Sequence, residues 1–457
     1  MFQTSNRKKM FILISGDCFM IVLSLLLSSF FYFGNFIEAL LRCPWSVGII
    51  TAVYMFSFYI FDLYEDYRQF NRAYFFSRFI IAVFFGAFIT LIFPHLCGPL
   101  RFKHNLLLFI IFYILIMVPL WRLIFDVFLM SALGRKRGVI VGAGHSGRYI
   151  GDVLNGRGDF EVVGFVDDDV TKQGQMIHGI KVLGGADTLK EMAKKGQVDF
   201  AVVAITHEKS PELLDALFSV KMNYVEINDV AEVYEKIMGK LSLSHLRQGW
   251  VVFSKFSSLS NRWLLPTKRC FDIVLSILGF ILFLPIILLV AIAVRVDSRG
   301  PVIYKQFRVG QNGKVFVMYK FRSMILGSEK DGDGIYTSIN DPRITRVGRL
   351  IRKARFDELP QLWNILRGDM SIVGPRPEAL ELAKKYKKEI PYYALRYVVK
   401  PGLTGWAQVR YAYSASLETA SEKFKYDMFY LKNVSIFMDI QIILKTVSVL
   451  VYRDFSR

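Results

Sequence analysis

Four long apolar segments occupy the first third of the chain, and they constrain its fold more than any other feature. They cover residues 11–33, 47–63, 73–93 and 106–125. Each is close to the roughly 20 residues that a helix needs to cross a bilayer. Hydrocarbon offers the backbone no hydrogen-bond partners, so segments of this kind must be helical. We therefore predict a transmembrane bundle of four helices over residues 1–133.

Basic residues flank these segments on one side more than on the other. Clusters at residues 7–9 and 135–137 stand before the first segment and after the fourth, and Arg68, Arg72 and Arg78 surround the second loop. Positive charge near membrane helices is retained on the cytoplasmic side. The pattern predicts a multi-pass protein whose chain continues into the cytoplasm after residue 137.

A glycine-rich turn follows the bundle. The strand-like run at residues 138–141 leads into Gly142, Gly144 and Gly147, and a second strand-like run ends at Asp167. Further strand-like runs lie at residues 200–205 and 224–227, with a helical stretch at 211–220 between them. This alternation predicts an α/β Rossmann-like middle domain over residues 134–237.

Two interpretations of the glycines stay open. In the first, the backbone at Gly142, Gly144 and Gly147 approaches the phosphates of a nucleotide while Asp167 accepts hydrogen bonds from its ribose hydroxyls. In the second, the glycines only shape the turn, and the domain is a scaffold or regulator. Hydride chemistry is disfavoured, because no tyrosine precedes a lysine by four residues, the catalytic pair of short-chain dehydratases and epimerases.

A fifth apolar run differs from the first four. It follows a linker over residues 238–265, and residues 273–294 are uncharged, but Pro285 lies near its middle. Proline removes a backbone hydrogen bond and kinks a helix. Lys268 and Arg269 precede the run and further cations follow it, so both ends favour the cytoplasmic side. We therefore predict a re-entrant membrane helix over residues 271–294 that enters and leaves at one face of the membrane.

The net charge of +19 is concentrated after this helix. Residues 295–410 hold 23 Lys and Arg against 11 Asp and Glu. Aromatic residues are not interleaved with these cations as on a platform that stacks nucleobases, which disfavours nucleic acid as a partner. Phosphate-bearing small molecules and the anionic headgroups of a lipid bilayer fit better. The four cysteines show no Cys-x-x-Cys spacing, so neither a disulfide scaffold nor a zinc site is indicated.

The densest charge in this window precedes two adjacent acids, Asp357 and Glu358. The six cations before them are Arg343, Arg346, Arg349, Arg352, Lys353 and Arg355. So much positive charge invites a polyanion such as a diphosphate, and the two acids could hold a metal ion or attack phosphorus. The stretch predicts a phosphoryl-transfer site in which the cations cradle a diphosphate.

A series of motifs around this stretch resembles one family. In chain order they are Lys268-Arg-x-Phe-Asp272, Tyr304-Lys-Gln-x-Arg-Val-Gly310, Lys320-Phe-Arg-Ser-Met324, Asn340-Asp-Pro-Arg343, Asp357-Glu-Leu-Pro-Gln-Leu362, Gly368-Asp-Met-Ser-x-Val-Gly-Pro-Arg-Pro377 and Lys400-Pro-Gly-Leu-Thr-Gly-Trp-Ala-Gln-Val409. The set is similar to the bacterial monotopic polyprenyl-phosphate hexose-1-phosphate transferases. The bundle and the Rossmann-like domain before it resemble the long form of that family.

The resemblance implies a fold and an activity. The fold is an α+β monotopic transferase domain over residues 266–457, on the cytoplasmic face of the bacterial inner membrane. The activity is transfer of hexose 1-phosphate from a UDP-hexose to undecaprenyl phosphate, which releases UMP and starts exopolysaccharide, capsule or O-antigen assembly. A homodimer is left open, and the motifs do not say which sugar is moved.

Individual roles follow from the same resemblance. Asp357 is expected to be the nucleophile, which carries the sugar phosphate as a phospho-aspartate, and Glu358 to be its partner in binding Mg²⁺. Three cations match positions expected to hold phosphate, and three further residues lie in shared motifs and are predicted to contact substrate. The first three are Lys320, Arg352 and Arg376, and the others are Arg322, Gln408 and Asp427.

One alternative of a different class stays open. A membrane-bound regulator or assembly scaffold could sense a dinucleotide through residues 142–147, without turnover. It would leave Asp357 and Glu358 unexplained. Nucleotide-sugar dehydration is weakened by the missing tyrosine and lysine pair.

Overall fold

The computed structural model describes residues 2–34, 44–64, 72–97, 104–129, 135–156, 160–205, 210–241, 262–325, 341–411 and 417–452. Internal contacts divide the chain into two compact units, Met1–Val233 and Tyr234–Arg457. Most of the predicted linker over residues 238–265 lies outside the described residues.

The four apolar segments of the first unit are helices, as predicted. They are α1 (Phe2–Phe33), α2 (Pro44–Ile60), α3 (Arg72–Cys97) and α4 (His104–Ile124). Three of them contain stretches long and apolar enough to cross a membrane, whereas the apolar part of α2, Val47–Ile60, is shorter. The chain turns directly after α2, where Asp62 adopts a left-handed backbone with φ of 56°. This turn ends α2 before the last residues of the predicted segment.

One ion pair is buried among these helices. Arg122 Nη2 of α4 lies 2.5 Å from Asp17 Oδ2 of α1, and Arg122 Nη1 donates to the carbonyl of Leu63 at 2.8 Å. A charge in apolar surroundings is costly unless it is paired and hydrogen-bonded. The pair therefore ties α1 to α4 and to the turn after α2.

The rest of the first unit is built around a six-stranded sheet. Its strands are β1 (Lys136–Val141), β2 (Phe160–Val166), β3 (Met176–Ile177), β4 (Ile180–Gly184), β5 (Phe200–Val203) and β6 (Glu226–Asp229). Their spatial order is β3-β4-β2-β1-β5-β6, and only β3 pairs in antiparallel fashion. Its helices are α5 (His145–Asn155), α6 (Ala186–Lys194) and α7 (Pro211–Met222), and α8 (Val230–Met238) follows β6.

This order confirms the predicted α/β pattern. The parallel strands, counted along the chain, are arranged 3-2-1-4-5, which is typical of Rossmann-like sheets. Strands were predicted where β1, β2, β5 and β6 lie, and a helix where α7 lies. Strands β3 and β4 and helix α6 were not predicted; the two strands are short, with two residues in β3 and five in β4.

The described residues of the second unit resume at residue 262, and the first helix there is α9 (Leu264–Asp297). It extends beyond the predicted bounds of 271 and 294 at both ends. Its first turns contain Lys268 and Asp272, which are buried and paired with residues of the following domain: Lys268 Nζ lies 2.5 Å from Asp439 Oδ2, and Asp272 Oδ1 accepts from Ser371 Oγ at 2.9 Å. These pairs let a charged segment continue a helix that is otherwise apolar.

Both halves of α9 pack on the same domain. Before Pro285, a Cβ placed on Gly279 would lie 3.3 Å from Leu362. After Pro285, Val290 and Val294 share a core cluster with Phe321. The helix is continuous through Pro285, and its opposite face exposes large apolar side chains, namely Ile281, Leu282, Leu284, Leu288, Leu289 and Ile292.

The domain after α9 is a mixture of short helices and small sheets, as the α+β prediction expects. Its strands are β7 (Ile303–Val309), β8 (Val315–Phe321), β9 (Ser371–Val373) and β10 (Gly402–Thr404). Its helices are α10 (Arg346–Lys353), α11 (Gln361–Arg367), α12 (Leu380–Glu389), α13 (Trp406–Arg410), α14 (Leu417–Lys432) and α15 (Ile436–Tyr452). Strands β7 and β8 form an antiparallel hairpin, and β9 pairs with β10 in parallel. A core that includes Ile365, Phe424 and Met428 lies beneath them.

Candidate active site

Asp357 and Glu358 lie in a short 3₁₀ turn between α10 and α11. The residue before the turn, Arg355, adopts a left-handed backbone with φ of 60°, a conformation that is uncommon outside glycine. The amide of Glu358 donates back to the carbonyl of Arg355 at 3.2 Å. Both carboxylic side chains are buried, with 8% of each residue exposed. The turn therefore holds two acids side by side out of bulk water.

Glu358 is surrounded by cations from three elements. Its Oε1 lies 2.7 Å from Arg376 Nη2, 3.6 Å from Arg355 Nη1 and 3.9 Å from Lys320 Nζ of β8. Burial alone would raise the pKa of Glu358, but Arg376, Lys320 and Arg355 outweigh it and lower that pKa to about 2. Glu358 is therefore ionised at any working pH.

Asp357 differs from its neighbour. Its Oδ1 is buried and accepts no hydrogen bond from the described residues. Burial raises the pKa of Asp357, and the adjacent negative charge of Glu358 raises it further, while Lys320, Arg355 and Arg352 oppose the shift. A carboxylate of raised basicity with an unpartnered oxygen is suited to accept a new bond or a metal ion.

Lys320 reaches this pair from near the open end of the β7–β8 hairpin, where its partner across the strands is Tyr304. Burial lowers the pKa of Lys320 to about 8, with Glu358 acting in the opposite direction and Arg376 adding to the decrease. The lysine is thus a cation that can lose its charge near neutral pH, unlike the arginines around it.

The structure divides the six cations that precede the acids. Arg352 and Arg355 act on Asp357 through their charge. Arg343 instead forms a forked pair with Asp341, at 2.7 Å between Nη2 and Oδ2. The remaining three, Arg346, Arg349 and Lys353, are exposed along one side of α10. The arginines among these cations were predicted to cradle a diphosphate. The structure brings Arg352 and Arg355 to the acids, and diphosphate binding by the set stays a prediction.

Arg376 lies in the turn Pro375-Arg376-Pro377 after β9. Its carbonyl accepts a hydrogen bond from Arg396 Nη2 at 3.0 Å, and the same nitrogen donates to Asp427 Oδ2 at 2.9 Å. Burial raises the pKa of Asp427 to about 6, against the influence of Arg396. Asp427, predicted to contact substrate, is thus connected to the phosphate-binding candidate Arg376 through Arg396.

Sequence reasoning did not identify Arg396. It lies in a 3₁₀ turn, Tyr393–Val398, outside the quoted motifs. What marks Arg396 is its burial in the structure, where only 4% of its surface is exposed. Arginine is almost never so fully buried unless it is paired.

Two other predicted residues have different surroundings. Arg322 donates through Nη1 to the carbonyl of Arg299 at 3.1 Å and through Nη2 to the carbonyl of Ser298 at 2.7 Å, so its Nη groups hold the end of α9. Gln408 on α13 donates weakly to the carbonyl of Leu403 at 3.4 Å, and its Oε1 is buried without a partner among the described residues. Substrate contact by either residue stays a prediction, and for Arg322 the observed bonds favour a structural role.

The glycine turn of the first unit is a separate feature. Gly142 has φ of 103°, and a Cβ on Gly147 would lie 1.9 Å from the carbonyl oxygen of Gly142, so both positions require glycine for the turn itself. Gly144 has open space around its Cα. Asp167 Oδ2 accepts from the amide of Ala143 at 2.8 Å and thereby braces the turn. Nucleotide binding at these residues stays a prediction.

Comparison with known proteins adds to this geometry. Residues 263–453 match the family described as bacterial sugar transferase, and residues 139–210 match the PglD N-terminal domain. Within the described residues no group of three or more His, Cys, Asp or Glu side chains is gathered as a metal site.

Three relatives illustrate the similarity. The undecaprenyl-phosphate galactose phosphotransferase of Salmonella typhimurium is 31% identical over 74% of this chain and 73% of its own length. The UDP-glucose:undecaprenyl-phosphate glucose-1-phosphate transferase of Klebsiella pneumoniae is 34% identical over 63% of this chain and 61% of its own. The UDP-N-acetylgalactosamine-undecaprenyl-phosphate N-acetylgalactosaminephosphotransferase of Aeromonas hydrophila is 38% identical over 49% of this chain and 52% of its own.

The chain thus spans between half and three quarters of the length of these relatives. The matched region contains the buried acids, their cations and the Pro-Arg-Pro turn. The family predicted from the motifs is thereby confirmed: the chain belongs to the bacterial sugar transferase family.

Proposed function

We propose that this protein transfers hexose 1-phosphate from a UDP-hexose to undecaprenyl phosphate, with release of UMP. The observation that carries the proposal is the buried carboxylate of Asp357, with one oxygen unpartnered among the described residues, beside Glu358, which Arg376 and Lys320 hold ionised. The relatives above are named for the same type of transfer with galactose, glucose or N-acetylgalactosamine. The lipid-linked product would start exopolysaccharide, capsule or O-antigen assembly.

The reaction proceeds in two displacements. A carboxylate oxygen of Asp357 attacks the phosphorus that bears the sugar, a P–O bond to the departing UMP breaks, and the sugar phosphate stays on Asp357 as an acyl phosphate. An oxygen of undecaprenyl phosphate then attacks the same phosphorus and releases the Asp357 carboxylate with the lipid diphosphate sugar. Covalent catalysis splits one difficult step into two easier ones.

The cations around the acids supply charge for this chemistry. Arg376 and Lys320 form ion pairs with Glu358. The positive charges of Arg352 and Arg355 oppose the rise that burial causes in the pKa of Asp357. Arginine offers two parallel donors that match a phosphate, and a fixed cluster of donors needs little reorganisation as charge moves to the leaving group. In this proposal Lys320, Arg352 and Arg376 hold the diphosphate.

A magnesium ion fits this donor set. Mg²⁺ in nucleotide sites takes one or two protein carboxylates and completes its shell with water and phosphate oxygens. The unpartnered Oδ1 of Asp357 and the ionised Glu358 would be those carboxylates. When bound, the ion would neutralise charge on the diphosphate and on departing UMP.

The proposal extends to the placement of the protein in the membrane. We propose that α9 is re-entrant, since residues on both sides of Pro285 pack on one domain while its other face exposes large apolar side chains. The basic flanks of the first four helices support a cytoplasmic location for that domain, at the inner membrane. A homodimer, and a nucleotide at Gly142, Gly144 and Gly147, stay predictions.

Helix α10 is proposed to rest on the headgroups beside α9. Its Ile351 packs in the same cluster as Val290 and Val294 of α9. On its outer side Leu350 is 69% exposed, in the same part of the surface as Arg346, Arg349 and Lys353. An apolar side chain among cations suits the boundary between headgroups and acyl chains.

This contact is testable in nanodiscs with the full chain. We expect the added tryptophan of a Leu350→Trp variant to be quenched by lipids brominated near the headgroup. Quenching should weaken when Arg346, Arg349 and Lys353 are all replaced by Gln, because each cation near an anionic surface contributes about 1 kcal/mol. Fluorescence relative to the unsubstituted chain is the measurement, and an unquenched tryptophan would refute the placement.

The function itself is tested by UMP release. Detergent-solubilised protein is incubated with undecaprenyl phosphate, Mg²⁺ and a panel of UDP-glucose, UDP-galactose and UDP-N-acetyl sugars. At least one donor should give UMP together with a lipid diphosphate sugar. No UMP with any donor would rule out the proposed function, and the preferred donor identifies the sugar.

The pKa of Lys320 predicts a pH dependence. The pKa of this lysine is lowered to about 8, so its ammonium is present below that pH and is lost above it. We expect kcat/KM for the UDP-hexose to fall as pH rises through about 8, because that ratio reports groups of the free enzyme. A Lys320→Arg variant keeps its positive charge above pH 8, so its kcat/KM should not fall in that range. Initial rates from about pH 6 to about pH 9.5 are the measurement. An unchanged alkaline decrease in the variant would assign it to another group.

A further inference from the structure

The turn that carries Arg376 is held in an unusual way. Two of its residues are prolines, which have no N–H to donate, so the turn cannot be secured by its own amides there. Instead, the carbonyl of each of its three residues, and that of Glu378 directly after it, accepts a hydrogen bond from elsewhere in the domain. The amide of Gly402 donates to the carbonyl of Pro375 at 2.9 Å, and the amide of Val309 donates to that of Glu378 at 3.2 Å. Two side chains donate to the other carbonyls: Arg396 Nη2 to that of Arg376 at 3.0 Å, and Arg308 Nη1 to that of Pro377 at 3.3 Å.

The bond to the Arg376 carbonyl comes from a buried charge. Only 4% of Arg396 is exposed, and a buried charge is costly unless it is paired. Asp427 provides it at 2.9 Å from Nη2, Glu378 at 3.2 Å from Nη1, and the ring of Tyr393 lies 4.9 Å below the guanidinium. Arg396 is thus fixed from the helix α14, from the turn itself and from its own 3₁₀ turn.

The four hydrogens on the two Nη atoms of Arg396 match four acceptors. Nη1 donates to Glu378 Oε1 and to the hydroxyl of Tyr393, and Nη2 donates to the Arg376 carbonyl and to Asp427. An arginine has five N–H donors in total, and the fifth, on Nε, is buried and has no hydrogen-bond partner among the described residues. None of the Nη hydrogens is left for a phosphate. Arg396 is therefore unsuited to bind substrate directly.

We infer that Arg396 is a positioning residue for the transfer reaction: by holding the carbonyl of Arg376 it sets the direction in which the Arg376 side chain reaches Glu358 and the diphosphate. This inference rests on the proposed function of the same site. The side chain of Arg376 lies 2.7 Å from Glu358, so a small rotation of the turn would separate the two groups. Asp427 takes part as the counter-ion that fixes Arg396.

Lysine cannot replace Arg396 in this arrangement. An ammonium has three donors at one point and cannot reach the Arg376 carbonyl, Asp427 and Glu378 together. We expect Arg396→Lys to lower kcat/KM for UMP release about tenfold or more, as loss of a charge-assisted hydrogen bond does. A matched control is Arg295→Lys, since Arg295 also donates to a backbone carbonyl, that of Gly300, at 2.8 Å, in an exposed hydrogen bond. This variant should keep the unsubstituted rate within about threefold.

A double-mutant cycle separates positioning from a general structural role. If Arg396 acts through Arg376, then adding Arg396→Lys to an Arg376→Lys variant should cost little further activity. Independent structural damage would instead give losses that multiply. Multiplied losses, or an Arg396→Lys variant as active as the Arg295→Lys control, would overturn the inference.

The outcomes remain distinct from failure of the proposed function. Absence of UMP release by the unsubstituted full chain refutes the function, whereas an active chain with an additive cycle refutes only the role of Arg396. If Arg396→Lys lowers the thermal unfolding midpoint strongly, the cycle is run with Asp427→Asn, which alters the partner of the same Nη2 group. Coupling of Asp427→Asn to Arg376→Lys supports the inference, and additivity overturns it.

Discussion

Replacing Asp357 with asparagine should abolish UMP release. The amide keeps the size of the side chain but cannot form an acyl phosphate, so the first displacement has no nucleophile. We expect a loss of about a thousandfold or more, the scale on which removal of a catalytic nucleophile is felt. UMP release with the preferred UDP-hexose, with and without undecaprenyl phosphate, is the measurement.

UMP release without undecaprenyl phosphate tests the phospho-aspartate directly. Without the lipid, the unsubstituted chain should release UMP up to about one per active site and stop, because the sugar phosphate stays on Asp357. The Asp357→Asn chain should release none. An exposed acid on α12, Glu381→Gln, serves as the control and should behave as the unsubstituted chain. Undiminished UMP from Asp357→Asn would exclude the phospho-aspartate.

Replacing Glu358 with glutamine should lower the activity strongly, but through loss of charge and not through loss of the nucleophile. Glu358 is ionised at working pH, with its pKa lowered to about 2, so the substitution removes one negative charge from the site at every pH tested. Arg376 and Lys320 lose their common anchor, and Mg²⁺ would lose one of its two carboxylates. We expect kcat/KM to fall about a hundredfold to a thousandfold, as when one preorganised electrostatic group is lost.

The two acids are separated by the single-turnover experiment. Because Asp357 remains, Glu358→Gln should still release about one UMP per site without acceptor, only slowly and with a raised requirement for Mg²⁺. A Glu358→Gln chain with no UMP at all after long incubation would mean that both acids are needed for the first bond. A Glu358→Gln chain with unchanged rate would remove Glu358 from the site.

Elements with a strong period or a strong composition were predictable from the sequence. The four apolar helices follow from runs near the length that spans a bilayer, and the strands of the Rossmann-like sheet follow from short β-rich runs at regular intervals. Strands β3 and β4 were missed because two and five residues are too few to show a period in the sequence. The start of α9 was missed because Lys268 and Asp272 look like solvent-exposed charges until their partners are known.

The candidate site was predictable in its residues but not in its contacts. Asp357, Glu358, Lys320 and Arg376 were named from motifs, and the fold brings them within a few ångströms of one another. Arg322 belongs to the same motifs but donates to backbone at the end of α9. Motifs record which residue types a family retains, and they do not distinguish a residue that touches substrate from one that holds the scaffold.

The sequence by itself determined the four apolar helices, the α/β middle domain, the family and the pair of acids, because these depend on local composition, spacing and residue order. Only the tertiary structure decided which cations act at that pair. The cations within α10 have similar local sequence surroundings, yet Arg352 acts on Asp357 while Arg346, Arg349 and Lys353 are exposed on its outer side. The tertiary structure also identified Arg396, which is 20 residues from Arg376 in the chain and donates a hydrogen bond to its carbonyl. Charge and burial depend on neighbours in space, and those neighbours come from distant parts of the chain.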